Sequence, residues 1–435
     1  MEWWAYLSII IAVLTVFFLS GLPVAFCFTL FNFIAAYFWM GGTEAFGLLT
    51  VSAFASIASF PLVAVPLFVL MGELLFQSGV VTIVLDAVSK WMVGVRGSLS
   101  YVAVVAGTLF GTMSGSAVSG VAVLGSTLAP DMRSRGYSKE LALGPILGSG
   151  CLAMIIPPSV LAVLLGSLAQ IPVGDLLISG IIPGILLALC YAAHIFIRLR
   201  FNPSLAPEDS VEVFSTGVKI RALLSILPVL IITLSVWGVM LFGIATPSEA
   251  AAIGVFGALV VMAIYKRLTW RAVRLALFDS VKISSMIFLI IISASAFSQI
   301  LAFTGTTAQL VSFATESGLA PWAVLAGMIV TAILLGSFLD ELALLMISIP
   351  IYMPVVKALA FDPVWFGLLM LITLEIATIS PPYGLALFVL KGVVPDATMG
   401  DIWKASIAYM LISTVVLALI FIFPPIATWL PTALR

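Results

Sequence analysis

Charged residues are scarce in this chain. Only 9% of its 435 residues are Asp, Glu, Lys or Arg, whereas 63% are hydrophobic. This small number of charged groups cannot cover the surface of a water-soluble protein of this length. The sequence therefore predicts that the chain is surrounded by lipid. Apolar stretches close to the length that crosses a hydrocarbon core recur at 5–19, 22–40, 178–197, 223–242 and 402–423. We therefore expect an all-α polytopic membrane protein in contact with the lipid bilayer.

The chain also lacks an excess of positive charge. Its 18 Lys and Arg are balanced by 19 Asp and Glu, which leaves no basic field that could hold nucleic acid. The three cysteines, Cys27, Cys151 and Cys190, lie in apolar surroundings without CxxC spacing. Neither a disulfide framework nor a metal cage built on cysteine is expected.

Motifs of membrane enzymes and ATP-driven pumps are missing as well. The chain has one histidine, His194, so it cannot contain an HExxH zinc motif. It has no Gly-x-x-x-x-Gly-Lys-Ser/Thr phosphate loop. The sequence argues against an enzyme, against ATP as the driving force, and against an organic cofactor.

A polar stretch at 198–221 separates two halves that contain related segments. Segment 153–162 reappears at 377–386, with both adjacent prolines and four further identities, and Gly111 and Gly336 match at nearly the same displacement. The two halves therefore look like copies of one unit. We divide the chain into N-terminal scaffold helices (1–59), repeat 1 (60–197), a connecting loop and scaffold hairpin (198–285), repeat 2 (286–423) and a C-terminal tail (424–435).

The positions of the basic residues predict opposite orientations for the two copies. Lys and Arg prefer cytoplasmic loops. They flank the first copy's glycine segment, whereas the second copy has Glu316, Asp362 and only Lys357 at matching places. The first copy is expected to open to the cytoplasm and the second away from it, with both termini periplasmic. Such inverted repeats are typical of secondary transporters with a central site, and they favour alternating access over a channel.

Each copy contains an apolar run that is interrupted at mid-length, which predicts a re-entrant hairpin. The first hairpin is placed at about 98–130 and the second at about 320–356, where Asp340 and Glu341 interrupt the run. Ionised side chains at mid-membrane depth cost about 2.5–3.5 kcal/mol on insertion scales, so a functional role is expected for Asp340. Glu341 is open to two interpretations, as a functional group or as a helix cap. The alternative for the hairpins themselves is a closely packed, glycine-rich helix pair.

Each copy also has two consecutive prolines inside an apolar region, at 156–159 and at 378–383. Two prolines remove two backbone donors and leave preceding carbonyls without helical partners, a situation that lipid does not tolerate. Broken helices of this kind offer carbonyl oxygens to sodium and helix N-termini to an anion. The alternative is a plain kink.

These motifs together resemble the large membrane subunit of TRAP (tripartite ATP-independent periplasmic) transporters. The resemblance covers nearly the whole chain and departs from the family pattern at Ser380, usually threonine, and at Glu375, usually an amide or apolar residue. The segments that carry the resemblance are Gly111-Thr112-Met113-Ser114-Gly115-Ser116-Ala117, Thr246-Pro247-Ser248-Glu249-Ala250, the hairpin aspartate Asp340, Asp362-Pro363-Val364-Trp365-Phe366-Gly367 and Ser380-Pro381-Pro382.

The resemblance implies an elevator-type, sodium-coupled importer of a small organic anion, with a carboxylate favoured, in a bacterial inner membrane. It also implies a small four-helix membrane subunit and a periplasmic substrate-binding protein as partners. An alternative is a self-sufficient sodium and carboxylate symporter of the divalent-anion type, which would share the hairpins but need no binding protein.

By position, the resemblance also implies the site residues. One sodium ion is expected around Ser114, Gly115, Ser116, Gly150, Ile156 and Pro157, and another around Gly336, Asp340, Ala377, Ser380 and Pro381. The residues expected to bind substrate are Ser116, Ser119, Ser159, Glu341 and Tyr383.

Overall fold

The computed structural model describes residues 3–207 and 214–434, so positions 208–213 of the predicted connecting loop lie outside it. Within the described residues the secondary structure is helical, without strands. Seven of these helices are long and apolar enough to cross a membrane. The prediction of an all-α polytopic membrane protein is confirmed.

Residues 3–207 contain eleven α-helices. Several are shorter than a full membrane span because glycine or proline interrupts the apolar runs. The helices are α1 (Trp3–Leu19), α2 (Val24–Trp39), α3 (Ala45–Ile57), α4 (Ala64–Gln77), α5 (Val80–Met92), α6 (Ser98–Ser114), α7 (Ala117–Ser134), α8 (Lys139–Cys151), α9 (Val160–Ala169), α10 (Val173–Ser179) and α11 (Ile181–Phe201).

The second half begins with two long helices and then repeats the pattern of the first. Its helices are α12 (Thr216–Leu241), α13 (Pro247–Ile264), α14 (Trp270–Phe303), α15 (Thr306–Glu316), α16 (Pro321–Gly336), α17 (Glu341–Ala358), α18 (Pro363–Thr378), α19 (Leu385–Val393), α20 (Met399–Ile422) and α21 (Pro425–Ala433).

The duplication is visible in the packing. Helices α6 to α9 and α16 to α19 each form a hairpin followed by a broken helix. A Cβ placed on Gly111 would lie 3.1 Å from Ala153 Cα, and one placed on Gly336 would lie 2.5 Å from Ala377 Cβ. These two contacts join residues that correspond in the sequence repeat, so each hairpin lies against its own broken helix in the same way.

Basic residues from separate parts of the chain gather at one end of the molecule, which we call the basic end. Arg133 Nη1 lies 3.1 Å from Asp396 Oδ2, and Lys139 Nζ lies 2.8 Å from Asp401 Oδ2. The first pair joins the end of α7 to the loop before α20, and the second joins the start of α8 to the first turn of α20. Arg198 at the end of α11 pairs with Glu140 in the same region.

The opposite end is marked by the starts of α4 and α13. Ser248 Oγ donates to Phe60 O at 3.3 Å. Thr246 and Glu249 form a capping box at the N-terminus of α13, which gives this motif a structural role. Helix α14 runs antiparallel to α4, packs against it, and also contacts α2, α3 and α17.

Candidate functional site

The first hairpin turns at Gly115. Helix α6 ends at Ser114, Gly115 adopts φ +59°, and Ser116 caps α7 by accepting a hydrogen bond from Ser119 N at 3.4 Å. A Cβ placed on Gly115 would lie 2.9 Å from Pro158 O. The turn therefore rests directly on the first broken helix, and only glycine fits both the backbone angle and the space.

The second hairpin turns between Ser337 and Asp340. Asp340 caps α17, because its Oδ1 accepts a hydrogen bond from Ala343 N at 2.9 Å. Asp340 thus holds the position in repeat 2 that Ser116 holds in repeat 1. Glu341 is the first residue of α17, and its Oε2 accepts a long hydrogen bond of 3.4 Å from Thr378 Oγ1.

The first break separates α8 from α9, and the Pro157–Pro158 bond is cis. Pro157 O accepts a 2.7 Å hydrogen bond from Trp237 Nε1 on α12. Ser159 is fully buried, donates to Met154 O at 2.6 Å and accepts from Ala162 N at 3.1 Å. Its hydroxyl is therefore used to close the break and to cap α9.

The second break separates α18 from α19, and the Pro381–Pro382 bond is also cis. Ser337 Oγ donates to Ser380 Oγ at 3.2 Å, which links the second hairpin to the break. Ala377 O accepts from Ser380 N at 3.1 Å, and Ser380 O accepts from Gly384 N at 3.0 Å. Hydroxyl and carbonyl oxygens are thus concentrated beside the hairpin turn.

The residues predicted for the two ions form two groups, one at each hairpin and its helix break. In the first group, Gly115 lies against Pro158 O, next to Pro157. Gly150 and Ile156 contact Gly120 and Gly184, which are outside the predicted set. In the second group, Gly336 contacts Ala377 and Ser337 contacts Ser380. The side chain of Ser114 lies outside the described part of the structure.

A cavity of about 440 Å³ lies where the two hairpin turns meet, and we call it the central cavity. Ser116 and Ser119 from the first hairpin and Glu341 from the second contribute to its wall. Further residues of the two hairpins, α4, the start of α9 and the first half of α14 complete the wall: Val69, Gly72, Glu73, Phe76, Phe110, Gly115, Ala117, Val118, Ala122, Val123, Val160, Leu161, Ile283, Met286, Ile287 and Leu342.

Two residues predicted to bind substrate do not belong to this lining. Ser159 is buried behind it as the cap of α9. Tyr383 is 57% exposed, and its ring stacks on Phe388 and lies beside Phe338. The helix break turns Tyr383 toward the surface, so the structure groups it with an aromatic cluster.

Glu73 on α4 lines the central cavity but was not among the predicted site residues. It is the one acidic side chain in an otherwise apolar span, Phe60–Gln77. The sequence could have indicated a functional role for Glu73, because a lone carboxyl group in a membrane segment is rarely kept without a function.

Glu375, where the chain departs from the family pattern, lies in a buried polar network. Its Oε1 accepts from Tyr191 Oη at 2.8 Å and from Ser413 Oγ at 3.2 Å. Its Oε2 is buried without a hydrogen-bond partner among the described residues. The network joins α18 to α11 and α20, and Glu375 does not line the central cavity.

A second cavity of about 530 Å³ lies farther along the same helices, toward the opposite end. Its wall contains the segment just before α4, the end of α9 and the second half of α14, with polar side chains that include Ser167, Gln170 and Gln299. The central cavity lies toward the basic end on these same helices. The two cavities thus lie on opposite sides of the contact between α4, α9 and α14.

Paired hairpins and broken helices from two copies of one unit define the chain as a repeat-built membrane transporter. The family described as "Tripartite ATP-independent periplasmic transporter, DctM component" matches residues 11–426, so the chain belongs to this family.

Relatives and a solved structure agree with this assignment. The chain is 30% identical over 386 residues to the C4-dicarboxylate TRAP transporter large permease protein of Pseudomonas aeruginosa, covering 88% of this chain and 89% of that protein. It is 29% identical to the sialic acid TRAP transporter large permease protein of Vibrio cholerae, over 95% of both chains. The fold is similar to the YdaH transporter of Alcanivorax borkumensis, with a TM-score of 0.62, 14% identity and coverage of 88% and 89%.

Proposed function

We propose that this chain is the large membrane subunit of a sodium-coupled importer for a small organic acid. The central cavity supports this proposal most directly, because both hairpin turns and the N-termini of α7, α9 and α17 meet in its wall. Helix N-termini favour a carboxylate, and hydroxyl groups such as those of Ser116 and Ser119 can donate to it. Relatives named for C4-dicarboxylates and for sialic acid agree with an acidic substrate.

Sodium is proposed as the co-transported ion, with one ion beside each hairpin turn. Sodium prefers oxygen ligands, and helix breaks in secondary transporters supply main-chain carbonyls to it. The second group offers the Asp340 carboxylate, the Ser380 hydroxyl and nearby carbonyl oxygens. In the first group, one lone pair of Pro157 O is already used by Trp237, so the second lone pair is the one left for an ion.

Transport is proposed to follow an elevator mechanism in a bacterial inner membrane, with the basic end in the cytoplasm. The central cavity lies toward that end, which supports the proposal that this conformation is an inward-facing one. Movement of the hairpins and broken helices along α4 and α14 would carry the site toward the second cavity.

The partners are proposed to be a small four-helix membrane subunit and a periplasmic binding protein. In proteoliposomes, uptake is expected only when this chain, both partners and an inward sodium gradient are present. Uptake by the isolated chain with sodium would contradict the proposal and favour a self-sufficient symporter of the divalent-anion type.

The same uptake assay in proteoliposomes also tests the proposed sodium site at the second hairpin. Asp340→Asn removes a full charge and should raise the sodium concentration needed for half-maximal uptake. Ser380→Ala should act in the same direction more weakly, while Ser380→Thr keeps the hydroxyl and should match the wild type. If the first two variants lose folded protein but keep the wild-type sodium dependence, both residues are structural only.

A further inference from the structure

The central cavity has an unusual charge pattern for a site that receives an organic acid. Among the described residues that line it are two carboxylic acids, Glu73 and Glu341, and no Lys, Arg or His. Two further acids lie close by, Asp279 near Glu73 and Asp340 next to Glu341. A simple dianion would meet these groups without a basic side chain to offset the repulsion.

The nearest basic candidate along the lining helices does not change this pattern. Lys282 precedes the lining residue Ile283 on α14, but Lys282 is exposed and does not belong to the cavity wall. The two proposed sodium ions, one beside each hairpin turn, would offset two of the negative charges of Glu73, Asp279, Asp340 and Glu341. Two carboxyl groups would still remain without a cation.

Glu341 also has unused capacity to accept hydrogen bonds. The carboxylate offers about four lone-pair positions, and the hydrogen bond from Thr378 Oγ1 is long, at 3.4 Å. A carboxylate inside the membrane is costly unless it is paired, so a cationic group of the substrate would stabilise it.

The other pole of the cavity favours a negative group. Helix α7 starts at Ala117 and helix α9 starts at Val160, and both residues line the cavity. Their N-terminal amide groups and dipoles attract a carboxylate. The same cavity therefore combines a place for a carboxylate with two acids that suit a cation.

We propose that the substrate is a zwitterion, a small organic acid that also carries a cationic nitrogen, as amino acids do. Its carboxylate faces the N-termini of α7 and α9, and its nitrogen pairs with Glu341, with Glu73 adding to the negative potential. This inference rests on the proposed transport function and specifies the substrate class for the same cavity.

Matched pairs of compounds that differ only by the amino group test this assignment. We would measure thermal stabilisation of the purified chain, together with its small subunit, by glycine and acetate, β-alanine and propionate, and glutamate and glutarate. Each compound is compared in sodium and in potassium. At least one amino compound is expected to stabilise the protein in sodium, with its amino-free counterpart about tenfold weaker or inactive.

Variants separate pairing with Glu341 from a general effect of charge. Glu341→Gln should weaken binding of the amino compound by about tenfold while sodium still stabilises the protein, which shows that the variant is folded. Glu316→Gln, an exposed acid at the end of α15, is the matched control and should bind like the wild type.

Two results would overturn the inference. If an amino-free acid binds as tightly as its amino counterpart in sodium, the substrate is a simple anion, and the proposed transport function stands without the zwitterion. If no compound of either kind gives a sodium-dependent response, both the zwitterion and the proposed function are contradicted.

Discussion

The contact between Gly336 and Ala377 allows a quantitative test of how the second hairpin is seated. A Cβ on Gly336 would lie 2.5 Å from Ala377 Cβ and 2.8 Å from Leu344 Cδ2, whereas one on Gly327 of the same helix would meet nothing within 4 Å. Overpacking a tight contact costs about 1–3 kcal/mol. Replacing glycine by alanine inside a helix gains up to about 1 kcal/mol at either position. Gly336→Ala should therefore be less stable than Gly327→Ala by about 1–3 kcal/mol.

A second substitution tests whether the clash itself is responsible. Ala377→Gly removes the methyl group that the new side chain would meet but places a glycine inside α18, at a cost of about 1 kcal/mol. The double variant should therefore be more stable than the sum of the two single effects. In repeat 1, a Cβ on Gly111 would lie 3.1 Å from the Cα and N of Ala153, which no substitution of Ala153 removes. The pair Gly111→Ala with Ala153→Gly should remain destabilised.

Unfolding in detergent, followed by circular dichroism, would rank these variants. Equal stability of Gly336→Ala and Gly327→Ala would show that α16 does not lie against α18 at this point. Recovery of Gly111→Ala by Ala153→Gly would refute the assignment of that clash to the backbone.

Two further predictions concern the buried network and the orientation in the membrane. Tyr191→Phe removes a 2.8 Å hydrogen bond to Glu375 and should lower the unfolding free energy by about 1–3 kcal/mol. Ser413→Ala should lower it less, because the hydrogen bond from Ser413 to Glu375 is longer, at 3.2 Å. The opposite ranking in thermal unfolding would contradict the geometry. A thiol introduced at the exposed Lys266 should react with an impermeant reagent only from the cytoplasmic side, and one at the exposed Ile244 only from the periplasmic side. The reverse pattern of labelling would show that the basic end faces the periplasm.

The repeats could be predicted from the sequence because their contacts require particular residue types. Close approach of a hairpin to a broken helix needs a glycine, and a break in an apolar helix needs proline. These residues recur at matching positions, as Gly111 and Gly336 show, and their packing in the structure confirms the duplication. The role of Ser116 and Asp340 as helix caps follows the same pattern, although the sequence suggested only ion and substrate binding for them.

The polar contacts between distant helices could not be predicted in this way. The partners of Glu375 are Tyr191 and Ser413, which lie on two other helices, and no spacing in the sequence links them. Glu73 reaches the central cavity only because α4 packs against α14. Tyr383 was expected at the substrate from the family resemblance, but the direction in which a broken helix turns a side chain depends on three-dimensional geometry.

The hydrogen bond from Trp237 Nε1 to Pro157 O has a kinetic consequence. Trp237 belongs to α12, whereas Pro157 belongs to the broken helix beside the first hairpin turn, and the bond of 2.7 Å holds the two together in this conformation. Any movement of the broken helix past α12 must break it before new contacts form. The net strength of such a bond is about 0.5–1.5 kcal/mol, and about 1.4 kcal/mol of barrier slows a step tenfold. Loss of this one indole group should therefore shorten the lifetime of this conformation by up to about tenfold.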